Sequence, residues 1–406
     1  MLAVELRAAG HEIVAVPEQA QAAIVNSCTV TAAAEADSRQ LVHRLQRLGV
    51  EKIYLTGCWV SVDDHRKNDR VDDAIIISNK EKQSIVKTYF SDTADSQSER
   101  SVRIPLPGKA KRTRAFIKVQ EGCDYHCTFC ITRVARGKST SRPLEEIIKD
   151  VESAVRADVK EVVLTGTQLG GWGRDLLNKK TITYLVNTIL ERTSIPRVRL
   201  SSIEPWDIQQ DFYSLLSNPR FCDHLHLPLQ SGSASTLKRM GRTMAPIDYL
   251  SLLQKIRAVN PDTAITTDIV VGFPGESEEE FTESLHFVAN ANFAGGHVFR
   301  YSPRIGTPAA DYSGQIDGLE KRKRNERMRE VLQQFAASYR AGFLGKTISV
   351  LWERGQKQGK NSWIMEGLST NYLRVQAESI MNLWNIISPV TLKEDHTKSF
   401  IGEIER

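Results

Sequence analysis

The 406-residue sequence has no uninterrupted apolar run long enough to span a bilayer. It has no N-terminal secretory signal either. Only six cysteines are present, and without such a signal they are expected in a reducing, cytoplasmic compartment, where metal and redox roles outrank disulfides. A strong excess of one charge is also missing. The net charge of +5 permits nucleic-acid binding without requiring it. With 41% hydrophobic and 25% charged residues, the chain reads as an ordinary soluble globular protein of two or three domains.

Three of the six thiols are concentrated in Gly122-Cys123-Asp-Tyr-His-Cys127-Thr-Phe-Cys130, a Cys-x3-Cys-x2-Cys spacing. Three thiolates can hold three irons of a cubane [4Fe-4S] cluster and leave the fourth iron open. An open iron can bind a small molecule, and S-adenosylmethionine is the cofactor of radical chemistry that pairs with such a cluster. His126 lies inside the trio, so a zinc site is the competing reading. Structural zinc ligands usually come as two separated pairs, and Cys222 is the only cysteine after Cys130.

Residues 1–92 read as an α/β domain. A helix covers Leu2 to Ala9. Strands are expected at Ile13–Val16, Ala22–Val25, Lys52–Leu55 and Asp73–Ile77, with a helix over Ala32–Leu48. Cys28 and Cys58 each follow directly on a short apolar strand. In open α/β sheets ligands bind past the strand ends, so the two thiols could meet at one site. They also fit small buried core residues. The polar stretch from Ser91 and the basic stretch Gly108–Arg114 read as a linker over 93–114.

Residues 115–340 alternate strands and helices. Strands at Ala115–Val119, Glu161–Leu164, Arg197–Leu200, His224–Leu227, Thr263–Val271 and Gly296–Tyr301 make six units of a parallel barrel or partial barrel. Ser277 and Glu280 form a capping box for the helix that follows the fifth strand. Thr167, Glu204, Gln230 and Asp268 are polar residues at the strand-end side, the active-site side of such folds. Each alone also fits a helix cap or a satisfied buried polar group. A long basic helix covers 318–344. The tail 341–406, with β-like pieces at Thr347–Trp352, Tyr372–Val375 and Asn385–Ser388, fits a small antiparallel barrel.

The cysteine loop followed by Ala135-Arg-Gly-Lys-Ser-Thr-Ser-Arg-Pro143 closely resembles the radical S-adenosylmethionine methylthiotransferases. So do Val25-Asn-Ser-Cys-Thr-Val-Thr31, Leu164-Thr-Gly166-Thr167, Arg199-Leu-Ser-Ser-Ile-Glu-Pro205, Leu225–Gly232 and Asp268–Glu276. Within that family the chain is most similar to the subgroup acting on N6-threonylcarbamoyladenosine beside the tRNA anticodon. The isopentenyladenosine-modifying and ribosomal-protein-modifying enzymes are the alternatives.

The resemblance implies a three-layer N-terminal α/β domain, a central radical (β/α)6 partial barrel and a C-terminal TRAM-like β-barrel. It implies that Cys123, Cys127 and Cys130 bind the [4Fe-4S] cluster that holds S-adenosylmethionine. Gly166, Thr167, Glu204, Gln230 and Asp268 would contact that cofactor, and Cys28 and Cys58 would ligate a second [4Fe-4S] cluster. The partners implied are tRNA, an electron donor and a sulfur source, with no membrane.

One departure stands out. The family's second cluster uses three cysteines, the first in a Gly-Cys turn after an initial strand, and here neither that strand nor that cysteine precedes Leu2. The expectation is either a start upstream or a reduced variant that cleaves S-adenosylmethionine without inserting sulfur.

Overall fold

In the computed structural model the described residues are 2–62, 73–79, 81–90, 113–359 and 362–405. The polar stretch 91–99 and residues 108–112 of the basic stretch lie outside them. The chain divides into two compact units. One holds the described residues up to Phe90 with 121–139 and 302–312, and the other holds those of 105–120, 140–301 and 313–406.

The first unit runs Leu2–Ala8 (α1), Ala22–Ser27 (β1), Ala32–Arg47 (α2), Lys52–Gly57 (β2), Cys58–Val62 (α3), Ala74–Ile76 (β3) and Ile85–Tyr89 (α4). The strands are parallel, in the order β1-β2-β3. Val25, Ile53 and Leu55 pack against Val42, Leu45 and Trp59 on one face. Ile24 and Tyr54 pack against Leu2, Ile77 and Ile85 on the other. Both faces are covered, as a parallel sheet of apolar strands requires. Thr31 caps α2, its Oγ1 accepting from the Ala34 N–H at 3.2 Å.

The strand expected at Ile13–Val16 does not form. Its backbone joins no ladder among the described residues, Ile13 and Val16 are exposed, and Pro17 opens a 3-10 turn directly after it. A short apolar stretch becomes a strand only beside an edge that takes its hydrogen bonds and a layer that covers its side chains.

In the second unit, Arg114–Lys118 (β4) leads into the cysteine loop. Two-residue strands, Gln120–Glu121 (β5) and Thr140–Ser141 (β6), flank that loop in sequence; the loop, followed by Thr132–Arg136 (α5), belongs to the first unit. Then follow Leu144–Arg156 (α6), Glu161–Thr165 (β7), Ile182–Arg192 (α7), Arg197–Leu200 (β8), His224–His226 (β9) and Ala234–Arg239 (α8). Pro246–Val259 (α9), Ala264–Val271 (β10), Glu278–Ala291 (α10), Gly295–Arg300 (β11) and Gly318–Ala341 (α11) complete the series. Sheets β4-β7-β8 and β9-β10-β11 are parallel throughout. Bridges from Val198 to Phe221 and from Ser202 to His226 join them. The result is six parallel strands in sequence order, a partial barrel.

Side chains alternate across these strands. Ile117, Leu164, Val198, Leu225 and Ile269 point outward and pack with Val151, Ile189, Leu253, Phe281 and Val288 of the helices. Their neighbours Phe116, Glu161, Arg199, His226 and Asp268 face the other way, so the inner surface is largely polar.

The Ser277–Glu280 capping box forms as the sequence indicates. Glu280 also accepts from Arg239 Nη1 at 2.9 Å, tying the start of α10 to the end of α8. Arg239 is the main cause that holds the Glu280 carboxyl down at about 2.

At the N-terminal end of the strands, Glu161 and Arg199 are fully buried together, with Arg199 Nε 2.7 Å from Glu161 Oε1. Burial pushes the Glu161 carboxyl up, and Arg199 and Arg197 more than offset that, leaving it below its ordinary range. Cys222 lies against the pair, its thiol pushed up to about 12 by burial. Arg197 donates to the Leu368 carbonyl at 3.1 Å, and Arg199 to those of Ser369 and Thr370 at 3.1 and 2.9 Å.

Those carbonyls belong to the C-terminal barrel, built from Thr347–Lys357 (β12), Trp363–Ser369 (β13), Arg374–Ser379 (β14), Ile387–Asp395 (β15) and Phe400–Ile404 (β16). It closes in the order β12-β13-β14-β16-β15. The sequence indicates an antiparallel barrel, and closure adds one parallel pair, with Val375 beside Phe400.

Two predictions follow from this packing. Arg199→Leu strands a buried carboxylate and is expected to lower the unfolding free energy by about 3–5 kcal/mol in urea denaturation; a loss below about 1 kcal/mol would mean the pair is not what fixes this end. Glu280 has a depressed carboxyl, so its contribution is complete above the unfolded value near about 4.3 and is lost as pH falls toward about 2. The stability difference between Glu280→Gln and the parent should therefore narrow as pH falls through that window. A pH-independent difference would assign the effect to cap geometry alone.

Candidate active site

In the first unit, β1 and β2 stay in register to their last residues, Ser27 beside Gly57. Strands that run parallel and end level release Cys28 and Cys58 side by side. The approach is close: Gly57 has φ +109, and a Cβ there would lie 2.3 Å from the Ser27 carbonyl oxygen. The Cys28 N–H donates to Ser38 Oγ at 3.2 Å. Cys58 is buried and opens α3.

The cysteine loop belongs to the same unit. Gly122 sits at φ +75, where a Cβ would fall 1.9 Å from the Lys138 carbonyl oxygen, so only glycine closes the loop base. The Cys123 N–H donates to the Gly137 carbonyl and the Cys130 N–H to the Cys127 carbonyl, each at 3.1 Å. The Ala309 N–H donates to the Thr128 carbonyl at 2.9 Å. Cys123, Cys127 and Cys130 are all half-buried and none is in a disulfide.

Arg136, six residues past Cys130, had no role assigned from the sequence. Its Nε donates to Cys58 Sγ at 3.2 Å. Burial works to lower the guanidinium pKa, and Cys58, with Glu121 and Cys28, more than reverses this. One residue earlier, the Ala135 carbonyl accepts from Asn79 Nδ2 at 3.1 Å. The helix after the cysteine loop is thus held against the edge where Cys28 and Cys58 emerge. The signal in the sequence was the Ala-Arg-Gly run itself, but nothing local indicated the arginine's target.

In the second unit, Gly166 and Thr167 follow the end of β7. A Cβ on Gly166 would lie 2.9 Å from Gln120 Oε1, which accepts from the Gln168 N–H at 2.8 Å. Glu204, just past β8, is 2.8 Å from Arg242 Nη2. Burial raises its carboxyl pKa and Arg242 works against this. Arg242 lies over the Trp206 ring at 4.3 Å.

Gln230, past β9, adopts φ +72. Its N–H donates to the Asp268 carbonyl and its carbonyl accepts from the Val270 N–H, both at 2.8 Å. Asp268 lies inside β10 rather than past its end, on the inner face, with Oδ2 3.2 Å from His226 Nε2. Thr266 Oγ1 holds the other ring nitrogen of His226 at 2.9 Å. Gly166, Thr167, Glu204, Gln230 and Asp268 thus line one edge and the inner face of the six-stranded partial barrel.

Residues 117–288 match the family model described as the radical SAM superfamily, and residues 1–78 match uncharacterized protein family UPF0004. The chain is 36% identical over 359 residues to the threonylcarbamoyladenosine tRNA methylthiotransferase MtaB of Thermotoga maritima, an alignment covering 86% of this chain and 80% of that protein. The chain belongs to the radical SAM methylthiotransferase family. MtaB of Bacillus subtilis is 32% identical over 90% of this chain and 84% of its own length. A tRNA-2-methylthio-N(6)-dimethylallyladenosine synthase of Clostridium tetani is 35% identical over 70% of this chain and 62% of its own. Among solved structures, the radical S-adenosylmethionine methyltransferase TsrM of Kitasatospora setae shares the fold, with TM-score 0.52 and 15% identity over 71% of this chain and 65% of that one.

As a radical SAM methylthiotransferase the chain is an enzyme, and its superfamily implies a [4Fe-4S] cluster and S-adenosylmethionine. The residues present fit that cluster. Three cysteines outside any disulfide share one loop whose backbone is closed by Gly122. A cubane takes its cysteines on separate irons, and three thiolates leave the fourth iron open. No helix among the described residues is long and apolar enough to cross a membrane.

Cys127→Ala is expected to remove the iron bound by this loop and to abolish 5′-deoxyadenosine formation from S-adenosylmethionine. Cofactor cleavage surviving in that variant would place the cluster elsewhere.

Proposed function

We propose that this methylthiotransferase adds a methylthio group to C2 of N6-threonylcarbamoyladenosine beside the anticodon of tRNA. The observation that carries this reading is identity combined with reach: MtaB of Thermotoga maritima is 36% identical over 86% of this chain, where the dimethylallyladenosine synthases of Clostridium tetani and Fusobacterium nucleatum are 35% identical over 70% and 32% identical over 97%. Chemistry supports it. A threonylcarbamoyl group bears a carboxylate, whereas a dimethylallyl group is a hydrocarbon. The inner surface of the parallel sheet carries Lys118, His226 and His297 beside Phe116 and Phe299 by strand alternation, and is not a lining for a hydrocarbon alone.

Tests of RNA binding have a natural focus. An open cleft of 1040 Å³ is bordered by Arg354, Arg374 and Lys398, by Arg114 paired with Glu353 at 2.6 Å, by Glu366, and by the exposed Phe116 and the half-buried Trp384. Cations that meet phosphates beside exposed rings that stack bases are the usual means of holding single-stranded RNA.

When bound, the cluster with S-adenosylmethionine supplies the reductive cleavage that yields a 5′-deoxyadenosyl radical. In this reading Cys123, Cys127 and Cys130 hold that cluster. Gly166 and Thr167 offer close backbone, and Gln230 is fixed by its two hydrogen bonds to β10 for contact with the cofactor. Glu204, braced by Arg242, and Asp268, braced by His226, position polar atoms at the same edge. Cys28 and Cys58 ligate a second [4Fe-4S] cluster concerned with sulfur, with Arg136 beside Cys58.

The test uses two tRNAs, one carrying N6-threonylcarbamoyladenosine and one carrying N6-isopentenyladenosine, with nucleosides read by mass spectrometry. Methylthiolation of the first alone is expected, and methylthiolation of the second alone would refute the substrate. Cys28→Ala should keep 5′-deoxyadenosine formation and lose the thiolated product. The parent should reconstitute with about eight irons per chain and the variant with about four. Equal iron and intact thiolation in the variant would sink the second site.

A further inference from the structure

The loop leaving β7 has a part that cofactor binding does not use. Between Gly173 and Lys180 the chain turns back on itself. The N–H groups of Leu176 and Lys180 both donate to the Gly173 carbonyl, at 3.2 and 3.1 Å. Gly173 sits at φ +89, and a Cβ there would lie 2.4 Å from the Lys180 carbonyl oxygen, so the turn requires glycine. Its base is anchored: the Gly173 N–H donates to Ser141 Oγ at 2.8 Å and the Ser141 N–H to Asp175 Oδ2 at 2.9 Å.

This anchored loop exposes a large apolar side chain. Leu177 at its tip is 104% exposed. Lys179, two residues on, has φ +27, a strained conformation for a lysine. A cleft of 290 Å³ beside the loop is bordered by Arg174, Lys179, Lys180, Asp207 and Asp211. The buried Asp207 is taken by Arg174 at 2.6 Å, and Asp211 accepts from Thr181 Oγ1 at 3.4 Å. Lys180 Nζ lies 3.9 Å from the centre of the Tyr184 ring. Neither lysine forms an ion pair among the described residues. The loop lies on the connection from β7 to α7 that also carries Gly166 and Thr167.

We propose that the 173–180 loop is a contact for the RNA substrate, with Lys179 and Lys180 on backbone phosphates and Leu177 packed against a base. The proposal rests on the tRNA reading above. An exposed leucine flanked by two lysines suits a polyanion with apolar base faces, because each cation contacts a phosphate and releases counterions. Apolar side chains of this size insert at base steps of nucleic acids.

The test measures binding of full-length tRNA to the reconstituted full chain as a function of salt. K179E/K180E should weaken binding about tenfold or more and lower the slope of log affinity against log salt by about 1.5 to 2. L177A should weaken binding severalfold with the slope unchanged. Both variants should still cleave S-adenosylmethionine in the absence of RNA as the parent does, which controls for folding. If the parent binds tRNA with a normal salt slope and both variants match it, the loop contact is wrong and the substrate reading survives. If the parent does not bind tRNA, the substrate reading fails and the loop contact falls with it.

Discussion

Strands that run parallel all end at one edge, so whatever follows them is forced into company. In both units of this chain the residues with chemistry leave a sheet at that edge. Ser27 and Gly57 stop level, and Cys28 and Cys58 come next. Thr165, Leu200 and His226 end their strands, and Gly166, Thr167, Glu204 and Gln230 come shortly after. No long-range side-chain pairing is needed to gather them, because register does it. The apolar faces that pin the register, Val25 and Ile53 in one sheet and Leu164 and Val198 in the other, therefore also determine where the thiols and polar groups emerge.

The opposite end of the larger sheet is sealed by different means. There Glu161, Arg197, Arg199 and Cys222 are buried together. Charges taken out of water are costly unless paired and fully hydrogen-bonded. Glu161 is met by Arg199, and the remaining guanidinium donors reach carbonyls of the C-terminal barrel. The stacking of Tyr372 on His224, with ring centres 4.3 Å apart, adds an aromatic contact to the same junction. Chemistry at one end and closure at the other leave the inner face between them polar and open.

Most of this architecture was legible in the sequence because period and punctuation agreed. The six barrel strands are apolar runs that end in polar turns, and the Ser277–Glu280 box marks its helix start. What was not legible has local causes. Ile13–Val16 has the composition of a strand but no neighbour to pair with. Trp363–Ser369 and Phe400–Ile404 escaped notice because Gly367 and Gly402 interrupt their patterns. Both glycines are where barrel strands press together: a Cβ would come 2.5 Å from Val350 at Gly367 and 2.4 Å from Val390 at Gly402. The cysteine trio was visible by spacing alone. The hydrogen bond of Arg136 to Cys58 was not, since 78 residues separate the partners and only the fold joins them.

Arg197 and Arg199 grip the C-terminal barrel through the carbonyl oxygens of Leu368, Ser369 and Thr370. Every amino acid supplies a carbonyl. These carbonyl bonds hold whatever side chains stand at the three positions, whereas Ser349, which accepts from Arg197 Nη2 at 2.8 Å, Thr370, which donates to Asp223 Oδ2 at 2.9 Å, and Tyr372 on His224 join through their side chains. A module held at so few side chains can change its other surfaces toward a new cargo while its host keeps the same reaction.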